Sequence, residues 1–324
     1  MKIFKPFEVI KDELYACEVF AGNLLRSDVK SVLETGGYIF NSGGKRVRPG
    51  LTILSGKLFS PDDKKLIPVA IAMEFIHTAT LLHDDIVDGA SLRRGNPSAN
   101  AVFGNDVAVL VGDYMFAQGV STFATYGGVE VLRRALDAIR DMSEGELKQL
   151  EMIGKVDLTE EGYFDIIYRK TASLLSACCE AGAIVGGVDG KQKISMRDFG
   201  KFIGYAFQLV DDAFDYVSDE ETIGKPAGND IREGKVTYPF IAVRHTFNDS
   251  EREKVGAIFS SQNPSKADIS YIRELVLERG GVEKTVFLAR EYVNRAKELL
   301  DSAKDSVYKE SLKQIADFIV ARTY

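Results

Sequence analysis

The chain has 324 residues, 45% of them hydrophobic, with a net charge of -7 and a pI near 5.3; this acidic balance leaves no broad basic face and argues against nucleic acid as a partner. Three cysteines, Cys17 and the adjacent Cys178 and Cys179, are too few for a disulfide framework and point to a reducing cytoplasm. The N-terminal segment lacks the apolar stretch of a signal peptide, and no run is expected to reach the ~18 apolar residues of a membrane span.

Residues 8–40 carry apolar side chains at three- and four-residue spacing (Val9, Leu14, Cys17, Phe20, Leu24; then Val29, Val32, Leu33), which predicts two helices broken near Ser27 and Asp28. A polar loop follows, Asn41-Ser42-Gly43-Gly44-Lys45-Arg46-Val47-Arg48-Pro49, with Pro49 suited to the first turn of the next helix. Its glycines permit close backbone approach, and three cations lie within four positions with no acid nearby. The loop reads either as an anion site at a helix start or as a solvated turn.

Helices are predicted near 50–59, 67–88, 106–125 and 129–156. The second ends in Leu81-Leu82-His83-Asp84-Asp85-Ile86-Val87-Asp88. Carboxylates that close a core-like segment are costly to bury unless something cationic meets them. Helical spacing puts Asp84 and Asp88 on one face, with Asp85 rotated aside and His77 on the same stripe. Such a face repels itself unless it holds a cation, and Mg2+ suits a few carboxylates plus the oxygens of a substrate phosphate. A solvated helix end is the plainer alternative. In the next loop, Gly89 to Pro97, Arg93 and Arg94 either neutralise those aspartates or grip phosphate with planar guanidinium groups.

Further helices are predicted near 160–187 and 193–218. Lys170 and Thr171 stand among Ala172, Leu174, Leu175 and Ala177, where a lysine either snorkels from a core face or meets an anion. Gln208-Leu209-Val210-Asp211-Asp212-Ala213-Phe214-Asp215 then repeats the acidic spacing at the end of a second apolar run, which chance explains poorly. The glycine-bearing loop 222–235 reads as a mobile flap that brings Lys225 and Lys235 toward the second cluster. From Tyr238 onward the pattern is helical, with turns at Asn263-Pro264 and Gly280-Gly281. No strand-like alternation stands out, and all eight prolines sit at helix ends or in loops. The expected fold is all-α, one domain over 1–324, in which helices of 1–40 and 238–324 pack around a catalytic core at 41–237.

Gly43-Gly44-Lys45-Arg46-x-Arg48-Pro49, His77, Asp84-Asp85-x-x-Asp88, Arg93-Arg94-Gly95, Lys170-Thr171, Gln208, Asp211-Asp212-x-x-Asp215 and Lys225 to Lys235, in this order, resemble the trans-isoprenyl diphosphate synthases. The stretch from Phe75 to His83 is most similar to the branch that makes long polyprenyl chains. The resemblance implies the isoprenoid synthase fold, a helical bundle around a central active-site cavity. It also implies head-to-tail transfer: an allylic diphosphate loses pyrophosphate, the double bond of isopentenyl diphosphate attacks its cation, and a proton leaves. Asp84, Asp88, Asp211 and Asp215 would then be Mg2+ ligands (with Mn2+ as an alternative ion), supported by Asp85 and Asp212. Arg93, Lys170, Thr171, Gln208, Lys225 and Lys235 would serve the allylic diphosphate, and Lys45, Arg48, His77 and Arg94 the isopentenyl diphosphate. Separate cationic pockets make sense for two anions that repel each other yet must react.

Ala79 and Thr80 lie one turn or slightly more before Asp84, about 6 to 7.5 Å back along the axis, where short-chain relatives carry aromatic side chains; their small size predicts an all-trans product of about six to nine isoprene units, eight in the best case. Met142 is a candidate for the floor of the tunnel. A quinone side chain is the expected use of the product, with transient membrane contact at its release. A homodimer is expected, because apolar residues cover more than one face of the helix at 106–125. Alternatives are a farnesyl or geranylgeranyl diphosphate synthase, a class I terpene cyclase, whose second motif is absent here, and a non-catalytic subunit, which would be expected to lose carboxylates.

Overall fold

The computed structural model describes residues 3–60, 64–93, 95–217 and 228–321. They are almost entirely helical: α1 (Lys11–Leu24), α2 (Lys30–Asn41), α3 (Val47–Lys57), α4 (Leu66–Val87), α5 (Ala99–Phe103), α6 (Asn105–Thr122), α7 (Gly128–Glu151), α8 (Glu160–Ile167), α9 (Ser173–Val185) and α10 (Gly190–Val217). Four longer helices follow, Asp249–Phe259, Lys266–Glu278, Gly281–Leu299 and Val307–Ala321; Asn248 and Ser265 start the first two with reciprocal capping boxes. The all-α expectation has one small exception, an antiparallel ribbon of Leu92–Arg93 against Asn96–Pro97. Strands this short show no alternation in a sequence.

Two π-helical segments interrupt the predicted helices. Phe123–Gly127 links α6 to α7, and Tyr168–Ala172 links α8 to α9. Packing divides the chain into two compact units, one of Met1–Ile139, Leu174–Arg197 and Leu300–Gln314, the other of Arg140–Ser173, Asp198–Leu299 and Ile315–Tyr324.

Helix α4 is the centre of the first unit. It is buried almost continuously from Leu66 to Leu82, at about 1.5–3 kcal/mol for each large apolar side chain removed from water. Its main neighbour is α6, with α3 and α1 beside it. Ile76 lies against Gly119, and the His83 ring lies against Gly112, so the two helices run antiparallel with glycine opposite each bulky side chain. Helices α3 and α9 approach more closely still. A Cβ at Gly182 would stand 2.2 Å from the Thr52 carbonyl oxygen, which is backbone and cannot yield. Gly182→Ala should therefore destabilise the protein by about 1–3 kcal/mol, read as a lower urea midpoint, and an unchanged midpoint would refute this account of the contact.

Cys17, Cys178 and Cys179 are free and buried, as expected of core residues. The membrane expectation needs correction: Leu66–Val87 and Asn105–Glu151 are long and apolar enough to cross a membrane by length and composition, although 72% of the first one's apolar window is buried, as in a core helix. In the second unit, Phe240 packs edge-on against Phe247 and Phe259.

Candidate active site

The loop before α3 is shaped by backbone conformations that favour glycine, with φ of 90° at Gly43 and 146° at Gly44. Arg46 is left-handed too, at φ 51°. This turns its side chain inward, correcting the reading of three cations presented together. Its guanidinium donates to Glu18 Oε1 at 2.7 Å, to Glu74 Oε1 at 3.4 Å and to the Phe40 carbonyl at 2.8 Å, and it stacks on the Phe40 ring 4.1 Å away. Burial alone would lower its pKa, but the two glutamates more than offset this and hold it above the usual arginine range. Lys45 is exposed, its ammonium 5.4 Å from the Phe4 ring, and Arg48 is half-buried in the first turn of α3. The flanking cations of the motif thus differ from the middle one, which anchors the loop.

On α4 the first acidic motif divides by burial. Asp88, at the helix end, is exposed, and Asp84 is half-buried. Asp85 is 2% exposed and is gripped by Arg93, whose Nε donates to both carboxylate oxygens at 2.8 Å. Arg93 thus neutralises Asp85 here, one of the two readings the sequence left open. Arg94 lies outside the described residues. His77 is half-buried on the Asp84 stripe, about 100° round the helix from the Ile76–His83 row that meets α6.

In the second unit the predicted residues gather around a cavity of about 120 Å³ lined by Lys170, Thr171, Gln208, Asp212, Lys235 and, among others, Tyr163. The π-helical segment places Lys170 and Thr171 there; such bulges often mark functional sites. Helix α7 comes close at Gly145, where a Cβ would stand 2.8 Å from the Lys170 amide nitrogen. The Lys170 ammonium reaches Glu146 at 2.7 Å and also Gln149. Asp211 is exposed. Asp212 is buried, accepting from Tyr163 at 2.6 Å and from Gln208 at 2.8 Å. Burial pushes its carboxyl up to about 7; the charges of Asp211 and Asp215 add to this, and the two hydrogen bonds oppose it. Asp215 accepts the backbone N–H groups of Asn229 and Asp230, both at 3.0 Å. It therefore anchors the chain at 228–230, a task the sequence reading did not assign. Lys235 pairs with Glu233, and Lys225 lies outside the described residues.

The sequence model of the polyprenyl synthetase family matches residues 29–276. The chain belongs to that family. It is 35% identical over 302 residues to the octaprenyl diphosphate synthase of Escherichia coli K12, covering 92% of each chain. A short chain isoprenyl diphosphate synthase of Methanothermobacter thermautotrophicus is also 35% identical, over 91% of each chain. A solved polyprenyl synthase from Caulobacter crescentus CB15, complexed with calcium and isoprenyl diphosphate, is 36% identical and superposes with a TM-score of 0.92, over 98% of this chain and 97% of the other. The all-α isoprenoid synthase fold and the activity of a trans-polyprenyl diphosphate synthase follow.

Polyprenyl synthetases use divalent metal ions, and the oxygen donors of this one fit such an ion. Among the described residues no three His, Cys, Asp or Glu side chains converge as a ready cage. Asp88 and Asp211 are exposed and Asp84 half-buried, and carboxylate oxygens of this kind suit a hard cation that takes further ligands from water and phosphate. In the synthase Asp85 is held by Arg93, Asp212 by Tyr163 and Gln208, and Asp215 by the backbone at 229–230.

Glu146, Gln149 and Tyr163 were not singled out in the sequence, and Arg46 was read only as one of the loop's three cations. Tyr163 could have been found from its spacing, seven residues before Lys170 on one helical face. Of the chain-length candidates, Ala79 is fully buried in the Ile76–His83 row, the Thr80 hydroxyl donates to the His77 carbonyl, and Met142 is 9% exposed.

Proposed function

We propose that this synthase builds a long all-trans chain, about C30 to C45 and most simply eight isoprene units, using Mg2+, and that the product serves as a quinone side chain. The observation that carries the length is the pair Ala79 and Thr80: both side chains are small at the positions one turn or slightly more before Asp84. The octaprenyl activity of the Escherichia coli relative agrees, and the short-chain activity of the Methanothermobacter relative is the rival. Incubating the purified chain with isopentenyl diphosphate, an allylic primer and Mg2+ and chromatographing the products decides between them: fifteen- or twenty-carbon products would refute the long-chain reading. Ala79→Tyr should shorten the product by several units, because a ring there meets each further unit added. Unchanged products would show that another wall sets the length.

In this reading Asp84, Asp88 and Asp211 hold the metal, which when bound offsets the negative charge growing on the leaving diphosphate. Lys170 and Lys235 hold the allylic diphosphate, with Thr171 beside the reacting carbon. Lys45, Arg48 and His77 hold isopentenyl diphosphate. The two sets should separate kinetically. Lys45→Ala or Arg48→Ala should raise the KM for isopentenyl diphosphate, and Lys170→Ala that for the allylic substrate, each by roughly tenfold for a lost charged hydrogen bond. A rise only in the allylic KM of Lys45→Ala would reverse the assignment.

A homodimer is part of the same reading. Val111, Met115 and Phe123 are buried, while Val109 and Leu110 on α6 are 38% and 68% exposed, which leaves a second apolar face for a partner copy to cover. Sedimentation of a monomer at micromolar concentration would refute it.

A further inference from the structure

Tyr163 is buried in α8, and its ring packs against Phe164 and Tyr238 at centroid distances of 5.4 and 5.6 Å. Packing accounts for the ring. The hydroxyl does something else: it donates to Asp212 Oδ2 at 2.6 Å, Gln208 Nε2 donates to Asp212 Oδ1 at 2.8 Å, and Thr171 Oγ1 donates to Gln208 Oε1 at 2.8 Å.

The order of donors along this chain follows from the ionised state of Asp212. In its ionised form the Asp212 carboxylate only accepts, so with Tyr163 on one oxygen the other oxygen is held toward Gln208. The Gln208 side chain could point either way in a symmetric setting, but facing a carboxylate it must turn its NH2 group there and its carbonyl oxygen toward Thr171. The Thr171 hydrogen is then committed to that carbonyl. What remains for the cavity is the lone-pair side of the Thr171 oxygen.

We propose that Tyr163 is a positioning residue for the prenyl transfer: through Asp212 and Gln208 it fixes the direction in which Thr171 presents its oxygen to the allylic substrate. This rests on the reading above that places Thr171 beside the reacting carbon. As the allylic C–O bond breaks, positive charge develops on the carbon, and an oxygen whose hydrogen is held elsewhere meets that charge with its negative end. A hydroxyl free to rotate would lose part of that fixed orientation.

Tyr163→Phe tests the idea because it keeps the ring contacts and removes only the hydroxyl. Its kcat should fall roughly tenfold, the effect of one charge-assisted hydrogen bond, with the KM of both substrates and the melting temperature near wild type. The decisive measurement is the double-mutant cycle with Thr171→Val. If Tyr163 acts through Thr171, the Tyr163→Phe effect should vanish in the Thr171→Val background. An equal loss in both backgrounds, or no loss in the wild-type background, overturns the proposal and leaves the assignment of Thr171 intact. Normal turnover of Thr171→Val alone overturns that assignment, and the proposal with it. Should Tyr163→Phe fail to fold, Asp212→Asn replaces it in the same cycle, since an amide offers one acceptor where two donors, Tyr163 and Gln208, converge.

Discussion

Asp84→Ala and Asp211→Ala should each lower turnover roughly a thousandfold, the scale of several kcal/mol of lost charge stabilisation at the departing diphosphate. The reason is the character of these two carboxylates. Asp211 is exposed and Asp84 half-buried, so neither truncation opens a cavity in the core, and thermal melting should stay near wild type. Asp85→Ala and Asp212→Ala should behave differently. The first strips the buried partner from Arg93, and the second leaves the Tyr163 and Gln208 donors unmatched, so both should lose stability as well as rate. A matched set of kcat values and melting curves for the four variants separates the groups. Near-normal turnover in Asp84→Ala and Asp211→Ala, or full activity in excess chelator, would remove the metal assignment.

Arg46→Ala should destabilise the protein by about 3–5 kcal/mol, because it deletes one partner of a buried ion pair and leaves the other charged. The arginine side chain is 11% exposed and that of Glu74 9%. With the cation gone, Glu74 and Glu18 face each other across the space it filled, and the stack on Phe40 is lost. Arg46→Lys should recover only part of the loss, since an ammonium cannot reproduce three contacts made by one planar fork. The loop should also loosen, raising the KM for isopentenyl diphosphate through Lys45 and Arg48 on either side. Urea unfolding checks the stability and steady-state kinetics the loop. A loss under about 1 kcal/mol, as for an exposed pair, with an unchanged KM would refute the anchoring role.

These residues show why the site was partly legible in the sequence. Asp84, Asp88, Asp211, Lys170 and Gln208 stood out because charged and amide groups are costly in apolar helices, and the cost marks them wherever they end up. The helices themselves were legible from their three- and four-residue spacing. Pairings were not. Arg46 reads like its neighbours Lys45 and Arg48, and only its contacts with Glu18 and Glu74, each 28 positions away, distinguish it. Arg93 could serve a phosphate or a neighbouring aspartate with the same chemistry, and only the loop geometry shows its contact with Asp85. A run expected to be one helix over 160–187 hides its π-helical segment, since one additional residue in a turn barely disturbs an apolar pattern.

That additional residue sets the phase of everything after it. In an uninterrupted α-helix, Thr171 would lie about 80° around the axis from Tyr163, because eight steps of about 100° overshoot two full turns. The wider turn at Tyr168–Ala172 takes up about one step, bringing Thr171 back almost into line with Tyr163, so that Tyr163 reaches Asp212 and Thr171 reaches Gln208 on α10. The segment works as a vernier, deciding which side chains after Tyr168 fall on the cavity side. Deleting a single residue at 168 or 169 would keep the cavity residues from Lys170 onward in the chain and yet point the threonine at a different wall.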